Sequence, residues 1–118
     1  MRIGEFIAYL NTTKDTVRHY EDLQLLTPKW KGSMKDYGEK EIQDYQVIKE
    51  FKSLGLSLKE IQLLFKLKHS FGCGDSQFIN EVVIQLTNHL EVLRQEEEEI
   101  KNRRIQLEKQ LDEIKELL

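Results

Sequence analysis

The chain has 118 residues, of which 33% are charged and 39% apolar, and its net charge is −3. That length holds one small domain, or one domain with a helical extension, and its short apolar runs make neither a transmembrane helix nor the core of a signal peptide. The single cysteine, Cys73, rules out an internal disulfide and a cysteine cluster, so a cytoplasmic protein with a reduced thiol is expected.

The acidic total is unevenly spread. Residues 1–60 carry 10 basic and 10 acidic groups, whereas residues 61–118 carry 8 and 11, with four consecutive glutamates at 96–99. Net charge governs long-range steering, but phosphate binding needs only a local cluster of donors. The front half is therefore a candidate nucleic-acid binder.

Ile3, Phe6, Ile7 and Leu10 recur at helical spacing and predict a short amphipathic helix over 3–10. A second helix is expected after Asn11-Thr12-Thr13, capped by Thr13, anchored by Val17 and ending near Asp22. Its front is polar and cationic, with Lys14, Arg18 and His19 close together, which leaves little to bury. Two short helices across a tight turn make a helix-turn-helix candidate. From Thr27 to Tyr37 the helical pattern fails: Pro28 breaks it, Gly32-Ser33 reads as a turn, and Lys29, Lys31 and Lys35 decorate a small hairpin, or wing.

Helical periodicity resumes through Ile42, Tyr45, Ile48, Phe51 and Leu54, with Gly55 placed to close the helix. Ser57 and Glu60 have capping-box spacing, so a further helix should carry Ile61, Leu64 and Phe65 inward. The stretch HSFGCGDSQ at 69–77 reads as a linker, with Ser76 or Asp75 capping a last, long helix. Along that helix, Ile79, Val83, Leu86, Leu90, Leu93, Ile100, Leu107, Leu111, Ile114 and Leu118 recur in steps of three and four, interrupted at Glu97 and Arg104. Such a series is a coiled-coil seam. The helix would be about 60 Å long at ~1.5 Å per residue. An apolar seam of that length calls for another chain, most simply a second copy of this one. The expected domains are thus a front domain over 1–70, a linker over 71–75 and a dimerisation helix over 76–118.

Taken together, IGEF near the start, DTVRHYEDLQLLTP, the lysine-bearing wing ending in Asp36-Tyr37, and FKSLGLSLKEIQLLF resemble the MerR family of bacterial transcription regulators. The resemblance covers the front 70 residues in sequence and the long helix in architecture. It implies a mostly α fold, a winged helix-turn-helix followed by an antiparallel coiled-coil dimerisation helix. It further implies a homodimer on a palindromic promoter element, bending and untwisting double-stranded DNA so that RNA polymerase can use an over-long spacer. Thr13, Lys14 and Thr16 then lie at the helix start, where side chains reach base edges. Arg18 and Tyr20 match the family's phosphate-contacting positions, and Lys35 and Tyr37 match wing positions that grip the backbone. The wing departs from the common pattern: Trp30 stands where the family often has arginine, and Ser33-Met34-Lys35 where it usually has Gly-Tyr-Arg. Lysine keeps the charge but loses the bidentate fork.

Cys73 is the candidate sensor, close to where metal-sensing relatives place a sensing side chain, with His69 and Asp75 as further ligands. Those relatives also supply cysteines from a loop after the long helix, and the redox relatives need an iron–sulfur cysteine cluster; neither is expected here. The default reading is an incidental thiol, with no metal and no cofactor. His19 is expected near DNA rather than as a pH switch, and Tyr9 and Tyr45 as packing groups. Glu97 and Arg104, seven apart on one row of the seam, would oppose each other in an antiparallel dimer centred between residues 100 and 101 and help fix its register. No catalytic motif is present, so an enzyme is not expected. The rival to a promoter regulator is a coiled-coil adaptor, or an architectural DNA binder without promoter specificity.

Overall fold

The computed structural model describes residues 1–118, which divide into two compact units, Met1–Cys73 and Gly74–Leu118. The first holds helices α1 (Ile3–Leu10), α2 (Lys14–Asp22), α3 (Glu39–Ser53) and α4 (Leu58–Phe71). Between α2 and α3 lies an antiparallel ladder of β1 (Lys29–Lys31) and β2 (Met34–Asp36), with Trp30 opposite Lys35. The second unit is one helix, α5 (Ser76–Lys115). A winged helix-turn-helix and a long C-terminal helix are therefore present, as expected, and no helix is long and apolar enough to cross a membrane.

Three helices of the first unit stop in the same way. Asn11, Gln24 and Gly55 adopt left-handed backbone (φ 52°, 60° and 91°). The amide of the next residue then bonds back five positions: Thr12 to the Ile7 carbonyl at 3.1 Å, Leu25 to Tyr20 at 2.8 Å, Leu56 to Phe51 at 3.1 Å. This motif satisfies carbonyls that a helix end leaves open. Gly55 takes the conformation freely, whereas at Gln24 it carries a steric cost of about 1 kcal/mol or more. Burial of Leu25 and Leu26 directly after it, each 1% exposed, offsets that cost.

The core gathers Phe6, Val17, Leu25, Leu26, Ile48 and Ile61 around an aromatic cluster. The Phe6 ring stacks on Tyr37 at 4.7 Å and meets Tyr45 edge-on at 6.3 Å, while Tyr20 lies 5.9 Å from Tyr45. Tyr45 is thus the packing group expected, but Tyr9 points outward, 65% exposed, because it falls outside the Ile3-Phe6-Ile7-Leu10 stripe.

Helix α3 departs most from its sequence pattern. Ile48 is buried, but Leu54 is 53% exposed at the end of the helix, and Glu41 and Asp44 near its start are buried. Both carboxylates have partners. Glu41 accepts the Gly38 amide at 2.8 Å, which caps the helix, and Asp44 pairs with Lys40 at 3.6 Å and Lys68 at 3.7 Å. Helix α4 opens on the expected box: the Glu60 amide donates to Ser57 Oγ, and the Ser57 amide to the Glu60 carboxylate, both at 3.1 Å. It continues through His69–Phe71, residues that the sequence pattern assigned to a linker, and Gly72–Asp75 connects it to α5.

Asp75 caps α5, its Oδ1 accepting from the amides of Gln77 at 2.8 Å and Phe78 at 3.4 Å. No residue of α5 is buried in the single chain. Ile79, Val83, Leu90, Leu93, Ile100, Leu107 and Leu111 are all exposed, and Leu86 is half-buried. Arg104 bonds Glu108 of its own helix at 2.6 Å.

Candidate nucleic-acid interface

The polar front of α2 begins at its cap. Thr13 Oγ1 accepts the Thr16 amide at 3.2 Å and shares a hydrogen bond with the Thr16 hydroxyl at 2.8 Å. The cap occupies much of Thr13's hydrogen-bonding capacity and orients Thr16. Lys14 is exposed at the first helical position, and Arg18 and His19 are exposed one turn on. Val17 and Tyr20 face inward, so α2 presents one apolar edge to the core and the cations outward. Tyr20 is 5% exposed and packs beside Tyr45, which leaves little of its side chain for any ligand.

The wing returns against the far end of the same helix. Gly32, at φ 67°, makes the two-residue turn with Ser33 that brings β2 back beside β1. Lys35 is half-buried between two groups: the Glu21 carboxylate at 2.9 Å and the Trp30 ring, 5.5 Å from its ammonium. Tyr37, 1% exposed, donates its hydroxyl to the second Glu21 oxygen at 3.2 Å. Both oxygens of Glu21 are thereby committed to the wing. The Met1 carbonyl accepts the Tyr37 amide at 2.7 Å, which lays the residues before α1 alongside the end of β2.

These approaches leave a hollow of about 260 Å³ lined by Arg2, Arg18, Glu21, Ser33, Lys35 and Tyr37, with Ile3 and Met34 at its sides. Three cations from three separate elements, Arg2, Arg18 and Lys35, border it. Of the residues singled out in the sequence, the structure brings Arg18, Lys35 and Tyr37 together here. Thr13, Lys14 and Thr16 stay apart, at the opposite end of α2. Arg2 and Glu21 were not foreseen. For Glu21 the only local hint was an acidic residue three positions after Arg18, and its partners lie 14 and 16 residues away in sequence.

Burial raises the Tyr37 phenol to about 12, the Glu21 charge and hydrogen bond add to the rise, and the Arg18 charge opposes it. The folded protein therefore holds this proton more tightly than the unfolded chain, whose phenol titrates near 10. The resulting contribution to stability is complete below pH 10 and declines as pH rises through about 12. An ultraviolet titration of the native protein should show one phenol ionising near pH 12, and Tyr37→Phe should remove that step and flatten the alkaline loss of stability.

Cys73 is exposed in the Gly72–Asp75 connection. His69 is exposed on α4 and the Asp75 carboxylate is engaged in capping, and no group of three or more His, Cys, Asp or Glu side chains could hold a metal ion.

Residues 1–68 match the family described as MerR HTH family regulatory protein. Over 67 residues the chain is 37% identical to the multidrug-efflux transporter 2 regulator of Bacillus subtilis (strain 168), covering 55% of this chain and 24% of that protein. It is 32% identical over 69 residues to the HTH-type transcriptional regulator ZntR of Escherichia coli (strain K12), covering 57% and 49%. It is also 30% identical over 87 residues to a mercuric resistance operon regulatory protein of Serratia marcescens, covering 72% and 60%. The alignments thus span from about a quarter to three-fifths of those curated relatives. Among solved structures, the transcription regulator PbrR691 from Ralstonia metallidurans CH34, in complex with lead(II), superposes with a TM-score of 0.76 and 26% identity, over 91% of this chain and 82% of that one.

Proposed function

The chain belongs to the MerR family of helix-turn-helix regulatory proteins, and from that premise we propose that it is a sequence-specific DNA-binding transcription regulator, acting in the cytoplasm as a homodimer. It binds a palindromic promoter element and distorts the spacer so that RNA polymerase can engage. The observation that carries this reading is the convergence of Arg2, Arg18 and Lys35 around one hollow beside the exposed front of α2. An adaptor that binds only protein has no evident use for cations from three segments bordering one hollow.

In this reading Lys14 and Thr16 enter the major groove and carry sequence preference, with Thr13 mainly holding the helix start. Arg18 and Lys35 grip phosphates and fix the docking position. Tyr20 and Tyr37 act from within the core, Tyr37 through Glu21. The exposed seam residues from Ile79 to Leu111 pair with a second copy and set the distance between two half-sites. Bending the duplex costs several kcal/mol, about 1 to 6 for a site of this kind, offset by contacts that only the bent duplex makes.

The test is selection of genomic fragments by the purified protein, with and without a thiol oxidant and thiophilic metals. A recovered palindrome within an over-long promoter spacer supports the regulator, and a change in recovery with oxidant or metal would make Cys73 a sensor. Recovery of no preferred sequence by a folded dimer sinks this reading in favour of the architectural or adaptor one. On the recovered site, Arg18→Ala should weaken binding alike across sequence variants and lower the salt slope by about 1 per protomer, the signature of a lost phosphate contact.

A further inference from the structure

We propose that Glu21 is a specificity-determining residue: an internal counter-anion that neutralises Lys35 on random DNA and so restricts the wing's grip to correctly placed phosphates. The inference rests on the DNA-binding function proposed above and deepens it.

The side chain of Glu21 is 10% exposed, and its two oxygens are shared between the Lys35 ammonium and the Tyr37 hydroxyl. The Lys35 side chain is 39% exposed, so the pair is sheltered at its carboxylate end only and is screened less than a fully exposed pair. A duplex drifting past in any register therefore meets a neutral Lys35–Glu21 pair, and Arg18 and Arg2 alone offer net charge at the hollow. An ammonium has three donors, however, and one bond to Glu21 leaves the others free. A phosphate seated between Arg18 and Lys35 can take those donors while Glu21 stays in place. Tyr37 has a single proton, already given to Glu21, so it positions the carboxylate instead of contacting DNA. Attraction is thus withheld from loosely placed phosphates and available to a well-placed one, which is discrimination achieved by penalising the wrong complex.

Glu21→Gln preserves size and can still accept from Tyr37, but frees one full positive charge at the DNA face. Each phosphate neutralised adds about 0.9 to the salt slope, which at ~0.1 M salt corresponds to about eightfold in affinity per head engaged. Wild type, Glu21→Gln, Lys35→Gln and the double variant are compared on the selected operator and on a mixed-sequence duplex, over a range of salt. Thermal melting and Trp30 fluorescence, the latter reporting the wing through the chain's one tryptophan, accompany each.

The expected result is that Glu21→Gln tightens binding to the mixed duplex about eightfold per head, steepens the slope by about 0.9 and gains less on the operator, so that discrimination falls. The double variant should return mixed-duplex affinity to the wild-type level. Lys35→Gln alone should weaken both duplexes, because it leaves the Glu21 charge unpaired at the hollow, but should cost more on the operator, a readout that holds even if Glu21→Gln does not fold. Equal weakening on both duplexes with a lowered melting temperature would reduce Glu21 to a structural strut and overturn the proposal. So would Lys35→Gln losing equally on both duplexes. Failure of the wild type to bind any duplex would instead overturn the DNA-binding reading, and this proposal with it.

Discussion

Leu107→Glu combined with Leu111→Glu should convert the protein from dimer to monomer and remove high-affinity operator binding, without unfolding the DNA-binding unit. In the single chain these leucines are 70% and 49% exposed, so the substitutions delete no contact that the protomer's own fold relies on. In a dimer they would be seam residues on both helices. Burying a leucine contributes about 1.5–3 kcal/mol, so four of them account for about 6–12 kcal/mol. That is comparable to the whole free energy of a micromolar to nanomolar association, about 8–12 kcal/mol. Four carboxylates in the seam add repulsion on top. A detached winged helix then binds each half-site alone and loses the effective concentration supplied by its twin, about 10²–10⁴ in affinity. Sedimentation equilibrium gives the mass, and titration of one-half-site and two-half-site duplexes gives the coupling. A variant that remains dimeric would place the interface elsewhere on α5; one that becomes monomeric yet binds the palindrome unimpaired would disconnect the coiled coil from recognition.

The long helix α5 was legible in the sequence because its apolar residues follow one local rule, a three-four step unbroken by proline or glycine, and most of that series is exposed in the single chain. The capping of α2 by Thr13 and of α4 by Ser57 and Glu60 was legible for the same reason: each device spans three residues. The features that escaped depend on encounters between distant segments. Helix α3 was read by apolar periodicity, which favoured Leu54 and could not foresee that Asp44 would turn inward to meet Lys68 from the next helix. Gln24 gave no turn signal, because its left-handed backbone is imposed by the burial of Leu25 and Leu26 and not by its own preference. The interface divides likewise. The family pattern pointed to Arg18, Lys35 and Tyr37, but the burial of Tyr37 and its hydrogen bond to Glu21 emerge only once β2 lies against α2. Trp30 was visible as a departure, and the structure gives it a use as the apolar wall beside Lys35.

Phe6→Ala should leave the front unit largely unfolded at room temperature. The ring is fully buried, stacked on Tyr37 and edge-on to Tyr45, so truncation removes its transfer free energy and leaves a cavity in the middle of the aromatic cluster. Such changes cost about 3–5 kcal/mol. A core of this size supplies a net stability of about 3–5 kcal/mol, so little is left. Phe6→Leu is the more informative variant. It retains most of the volume and should fold, at a cost near the aromatic pair term of about 0.5–1.5 kcal/mol. The Tyr37 ring would then lose its stacking partner, and water would reach the phenol more readily. Since burial is the main cause of the raised Tyr37 value, its titration should move down from about 12. A less firmly held Tyr37 also loosens the Glu21 carboxylate and, through it, Lys35, so discrimination between operator and mixed-sequence DNA should fall in the folded variant. Urea unfolding separates the stability loss from the site effect, and the phenol titration tracks the site directly. A Phe6→Leu protein with Tyr37 still ionising near 12 and discrimination intact would show that β2 alone holds the wing grip, and that the aromatic core contributes stability without shaping the DNA face.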